Sequence, residues 1–78
     1  MKIKRICGGS YSLRFDKEID IEKILEFFKE YSIVFKSSDS VKIKKDRKEI
    51  MIFKYGEMLF YNFEEDEVKE IAENLKNV

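Results

Sequence analysis

Histidine, proline and glutamine are absent from this chain, and cysteine occurs once, as Cys7. Each absence removes a class of function. Without histidine the commonest general base and metal ligand is missing. A lone thiol forms no internal disulfide, and it cannot by itself hold zinc or an iron–sulfur cluster. No nucleophile–base pair of the usual kinds can be assembled, so the expectation is a non-catalytic protein with no metal and no cofactor. Cys7 itself reads as a small buried or half-buried hydrophobe. No run approaches the roughly 18–20 apolar residues that span a membrane. Met1–Ile6 starts basic but lacks an apolar stretch behind it, so it does not read as a signal peptide. The expected setting is the reduced cytoplasm, away from membranes.

What is present is charge. Asp, Glu, Lys and Arg make up 41% of the 78 residues, yet the formal net charge is zero. Lysine and glutamate dominate, the proteome-level signature of hyperthermophiles. The composition points to a heat-loving archaeon, with an AT-rich genome as the alternative. The length fits a single domain over residues 1–78, close to the lower limit for a self-sufficient core. A chain this short buries only about 60% of its unfolded surface, so any large apolar area left uncovered carries information.

The pattern of apolar residues orders the elements. Tyr11, Leu13 and Phe15 alternate with Ser10, Ser12 and Arg14, which predicts a half-buried strand. Gly8-Gly9 ahead of it is a turn, and Lys2–Cys7 has room for a short additional strand. Asp20 is a good N-cap for a helix over 21–31, with Ile21, Ile24, Leu25 and Phe28 forming one apolar stripe. Ser32–Lys36 reads as a strand, Ser37–Ser40 as a loop and Val41–Lys45 as a second strand. A turn at Lys45–Lys48 leads to two strands, Glu49–Tyr55 and Glu57–Tyr61, joined around Gly56. Val68, Ile71, Ala72, Leu75 and Val78 mark the face of a last helix, whose first turn is crowded with Glu64, Glu65, Asp66 and Glu67. Anions there suit the helix dipole. The fold class expected is α+β, an antiparallel sheet of about five strands with two helices on one face, in the order β-α-β-β-β-β-α.

Two local features invite a chemical reading and do not carry one. The carboxylate pairs Glu22/Glu26 and Glu26/Glu30 sit at i, i+4 spacing, where solvated surface is the ordinary role. Gly8-Gly9-Ser10 lacks the spacing, the lysine and the following helix of a phosphate loop.

The hairpin is more informative. Side chains alternate between the faces of a strand, so Ile50 and Ile52 oppose Met51, Phe53 and Tyr55, while Met58 and Phe60 oppose Leu59 and Tyr61. Both faces are apolar, and two helices cover only one. The open face then presents Met51, Phe53, Tyr55, Leu59 and Tyr61, an apolar patch of the kind that marks an interface. Charge is divided the same way. Residues 1–15 and 31–61 hold eleven basic and four acidic groups, whereas 16–30 and 62–78 hold five basic and twelve acidic. With Val41 and Ile43 facing the helices, Lys42, Lys44 and Arg14 share the open face with the aromatic rings. Cations for phosphate and flat rings for bases are what a nucleic-acid-binding sheet needs. Two readings stand: a module that binds DNA or RNA, and a protein-interaction module whose face is covered by a second copy of the chain or another protein.

The order of elements and several local strings resemble one repeat of the TATA-box-binding protein. Glu18-Ile19-Asp20-Ile21-Glu22-Lys23-Ile24 is similar to the segment leading into that family's first helix, and Ile50–Leu59 to its Ile-Phe-Ser-Ser-Gly-Lys-Met hairpin. The likeness covers roughly residues 8–77 and implies a saddle-like sheet that sits in the DNA minor groove with Phe wedges between base steps. It implies a wedge position for Phe53, a nearby one for Phe35, and groove-facing positions for Met51, Leu59 and Tyr61. The family fuses two repeats where this chain has one, and Gly8 stands where the family's first strand has Asn.

Overall fold

A computed structural model describes residues 1–76; Val78, expected on the last helix face, lies outside the described residues. The elements are β1 (Lys2–Cys7), β2 (Ser10–Arg14), α1 (Ile21–Phe27), β3 (Ser32–Lys36), β4 (Ser40–Lys45), β5 (Lys48–Phe53), β6 (Glu57–Tyr61) and α2 (Glu65–Asn74). The strands form one antiparallel sheet in the order β1-β2-β6-β5-β4-β3. The α+β class is as the sequence reads, but the sheet has six strands rather than five. The sixth is β1, which folds back on β2 through a turn at Gly8-Gly9, where Gly9 takes φ +76.

One face of the sheet is closed by both helices. Tyr11 and Leu13 of β2, Val41 and Ile43 of β4, Ile50 and Ile52 of β5, and Met58 and Phe60 of β6 form a single buried cluster. Ile24 and Phe28 enter it from the first helix and its C-cap, and Val68, Ala72 and Leu75 from the second. Register stacks these residues in rows across the strands: Tyr11 lies opposite Phe60, Phe60 opposite Ile50, and Ile50 opposite Ile43. The expected placement of Leu75 holds, since it is fully buried as the C-cap of α2, while Ile71 is half-buried against the same core.

The helix ends show where local signals were sufficient. The Asp20 carboxylate accepts from the backbone amides of Glu22 at 3.0 Å and Lys23 at 3.4 Å, capping α1 as expected. The helix stops at Phe27, short of the expected Tyr31. Phe28 turns inward at the C-cap, Tyr31 N donates to its carbonyl at 3.0 Å, and the two rings meet edge-on at 5.2 Å. Burying Phe28 and Tyr31 outweighs another helical turn, because aromatic residues are indifferent helix formers. Strand β5 likewise ends at Phe53, not Tyr55, because Lys54–Gly56 make the turn to β6. Cys7 was expected to be at least half-buried, and it is exposed at the end of β1, past a bulge that shifts the register so that it pairs with Ser10.

Glu67 ties α2 to the sheet. Its carboxylate accepts from the Glu64 amide at 3.0 Å and pairs with Lys48, whose ammonium also lies 5.3 Å from the Phe63 ring. The Lys48 ammonium, then the Glu64 amide, hold the Glu67 carboxyl below its ordinary value. A depressed acid contributes stability that is present above the ordinary carboxylate range and lost as pH falls through the lowered value. Glu67→Gln is therefore expected to cost under about 1 kcal/mol at neutral pH, screening being strong at this half-exposed site. The two proteins should become equally stable in strong acid, as urea titrations over a pH series would show.

Candidate binding face of the sheet

The face opposite the helices is built from three cross-strand rows. The middle row runs Lys4, Ser12, Leu59, Met51, Lys42, Phe35. On one side of it lie Lys2, Arg14, Glu57, Phe53 and Ser40; on the other lie Ser10, Tyr61, Glu49, Lys44 and Ser32. Strand alternation brings these residues to one surface because their neighbours Leu13, Ile43, Ile50, Ile52, Met58 and Phe60 are drawn into the core. Met51, Phe53, Leu59 and Tyr61 are half-buried by one another and remain open to solvent.

All of Arg14, Lys42, Lys44, Met51, Phe53, Leu59 and Tyr61 occupy this face. Tyr55 reaches it by another route. It belongs to the turn after β5, and its ring stacks on Phe53 with centroids 5.3 Å apart and planes 25° from parallel. It is 58% exposed, which leaves the outer side of the ring free. The expected cations do not form one cluster. Arg14 on β2 and Lys42 on β4 are separated by two intervening strands, about 14 Å at the usual strand spacing of about 4.8 Å. They stand on opposite flanks of the apolar strip.

The register adds residues to the face that were not expected there. Lys2 and Lys4 extend the Arg14 flank, because β1 pairs outside β2. Glu49 and Glu57 sit within the rows. Their strand parity was already readable, since Glu49 shares the alternation of Met51 and Glu57 that of Leu59. Glu49 forms an ion pair with Lys42 at 3.0 Å. Glu57 is held more firmly, with Oε1 accepting from the Tyr55 hydroxyl at 2.6 Å and Oε2 from the Ser12 hydroxyl at 2.8 Å. The Tyr55 bond most of all, with help from Ser12 and Arg14, keeps the Glu57 carboxyl below its ordinary value and raises the Tyr55 phenol above its own. Ser12 is buried by this arrangement. Glu57 thus positions Tyr55 over Phe53 rather than standing as a free anion. By register, five basic side chains (Lys2, Lys4, Arg14, Lys42, Lys44) face two acidic ones (Glu49, Glu57).

On the helix side the balance reverses. Lys36, Lys45 and Lys48 are each paired with a carboxylate, Glu22, Glu30 and Glu67 respectively. Among the described residues no three of Cys, Asp and Glu converge in a metal-binding arrangement, and no helix is long and apolar enough to cross a membrane. Compared with known protein families, curated proteins and solved structures, the chain shows no match.

Proposed function

We propose that this domain is a non-catalytic cytoplasmic module that binds nucleic acid on the open face of its sheet. The observation that carries the reading is the arrangement of that face. An apolar and aromatic strip, with Leu59 and Met51 opposed at its centre, runs between two cationic flanks, while the acidic helices lie behind the sheet. Flat rings such as Tyr61 and the outer side of Tyr55 offer stacking surfaces that tolerate any base. Arg14, Lys2 and Lys4 on one flank and Lys42 and Lys44 on the other offer contacts to phosphate, which carry no sequence information. The resemblance to a TATA-box-binding-protein repeat supports the same surface, with Phe53 and Phe35 on it.

The magnitude of the charge makes the binding modest. A net excess of about three cations corresponds to a log–log salt slope of about −2 to −3. Titrating fluorescent DNA and RNA oligomers at low salt is expected to show weak, sequence-tolerant binding that falls with salt along that slope. Lys42→Glu/Lys44→Glu should abolish it, and Tyr61→Ala should weaken it by about 1–3 kcal/mol. Binding by the double variant as tight as by the original protein would sink the proposal. A protein partner on the same face is the second reading, favoured by the solvent-open apolar strip of Met51, Phe53, Leu59 and Tyr61, which suits a protein surface as well as it suits bases. It predicts no salt-sensitive binding to either polymer, and a two-fold dimer that Tyr61→Glu converts to a folded monomer.

A further inference from the structure

The sheet has two edges, and they are guarded differently. Strand β1 carries Lys2, Lys4 and Arg5 along its length and a bulge between Arg5 and Cys7. Charged side chains and bulges are the ordinary means by which an edge resists pairing with another chain. Strand β3 has a bulge of its own, between Ile33 and Phe35, but only one charge along its length. All five of its residues are exposed, and Ile33, Val34 and Phe35 are 53%, 57% and 53% accessible in succession. Its one charge, Lys36, is neutralised by Glu22 at 2.7 Å. Val34 falls at a bulge and has no partner on β4. Among the described residues, no backbone bond from a turn or loop reaches Ser32–Lys36, so the outward amides and carbonyls of β3 face solvent.

We infer that β3 is a self-pairing edge: two copies of this chain join β3 to β3 about a two-fold axis, making one continuous antiparallel sheet. The unpaired backbone groups define the chemistry of the occupant as an extended strand, and charge selects which one. Pairing β1 with β1 sets three cations against three. Pairing β1 with β3 brings those cations beside Lys36 and makes a head-to-tail contact that does not close. Joining β3 to β3 is antiparallel by symmetry and closes after two copies. It packs Ile33, Val34 and Phe35 of one copy against the same residues of the other, and each Lys36 keeps its own Glu22. Aromatic and β-branched pairs are favourable across strands. The edge is short and the bulge adds twist, so the buried area falls well below the roughly 1,600 Å² of a standard interface and the dimer is a weak one. Phe35 and Lys42 share a row on the open face, so the join would run beside the proposed binding surface and double it. The inference does not rest on that surface binding nucleic acid.

Sedimentation equilibrium from about 10 µM to about 1 mM, where an interface of this size dissociates, provides the test. The protein and its Tyr61→Glu variant are expected to approach twice the monomer mass at the upper end, while Val34→Lys stays monomeric throughout. A protein that remains monomeric over the whole range would overturn the inference. So would a Val34→Lys variant that still dimerises, or a dimer lost in Tyr61→Glu, which would place the seam on the open face. If Val34→Lys fails to fold, amide exchange of the unaltered protein at both ends of the range decides. Exchange in β3 that slows at high concentration supports the join, and unchanged exchange there refutes it. Oligonucleotide titration of monomeric Val34→Lys reports on the open face separately, so the two readings fail or survive independently.

Discussion

Phe60→Ala is expected to destabilise the protein by about 3–5 kcal/mol, the cost of a large cavity at a site that cannot collapse. Phe60 has no solvent exposure and lies on β6, the strand shared by the two halves of the sheet. Its neighbours are fixed by register, with Tyr11 opposite on β2 and Ile50 opposite on β5, and Phe63 meets its ring edge-on at 5.1 Å. Backbone pairing on both sides holds these neighbours at their strand spacing, so they cannot move in to fill the gap. Domains of this size have total stabilities of order 5–15 kcal/mol, so the variant should be partly unfolded at moderate temperature. Urea denaturation followed by circular dichroism would measure the loss. A cost under about 1 kcal/mol would mean that the centre of the core lies elsewhere.

Gly56→Ala is expected to be nearly as damaging, for a reason that owes nothing to burial of apolar surface. Gly56 takes φ +116, a region that residues with a Cβ avoid at a cost of about 1–3 kcal/mol. A Cβ there would also stand 2.5 Å from the Lys17 carbonyl oxygen. That oxygen cannot easily withdraw. The segment carrying it is held to the hairpin by Phe15 N donating to the Gly56 carbonyl at 2.8 Å and Ile19 N donating to the Lys54 carbonyl at 3.0 Å. The substitution must therefore break a backbone bond or distort the turn that places Tyr55 on Phe53. Gly9→Ala provides the control. Its φ is also positive, but the nearest atom to its Cβ would be 3.8 Å away, so its cost should be limited to about 1 kcal/mol of conformational strain. Thermal melts of the two variants should differ clearly. Equal midpoints would show that the contact with Lys17 is unimportant.

Much of the candidate face was legible in residue order because strand parity is a local property. Once 48–53 and 57–61 are strands, Met51, Phe53, Leu59 and Tyr61 must oppose the Ile50, Ile52, Met58 and Phe60 set, whatever the partners are. The same parity places Glu49 and Glu57 on that face. Tyr55 reached the face although its strand assignment was wrong, because the Glu57 carboxylate at the start of β6 draws its hydroxyl back over Phe53. The early end of α1 was not legible, since it depends on Phe28 and Tyr31 finding a place in the core rather than on any local stop signal.

By itself the sequence determined the α+β class, the two amphipathic helices, the Asp20 cap and a hairpin with two apolar faces. Each of these follows from periodicity or from interactions within a few residues, which the chain order contains directly. Only the tertiary structure decided that β1 pairs outside β2, that the cations stand on two separated flanks, that Glu57 is bound by Ser12, and that Gly56 abuts Lys17. These pairings join residues far apart in the chain, such as Ser12 and Glu57 with 45 positions between their numbers. Their geometry is set by the register of six strands against one shared core, where a slip of one residue would turn every side chain to the opposite face.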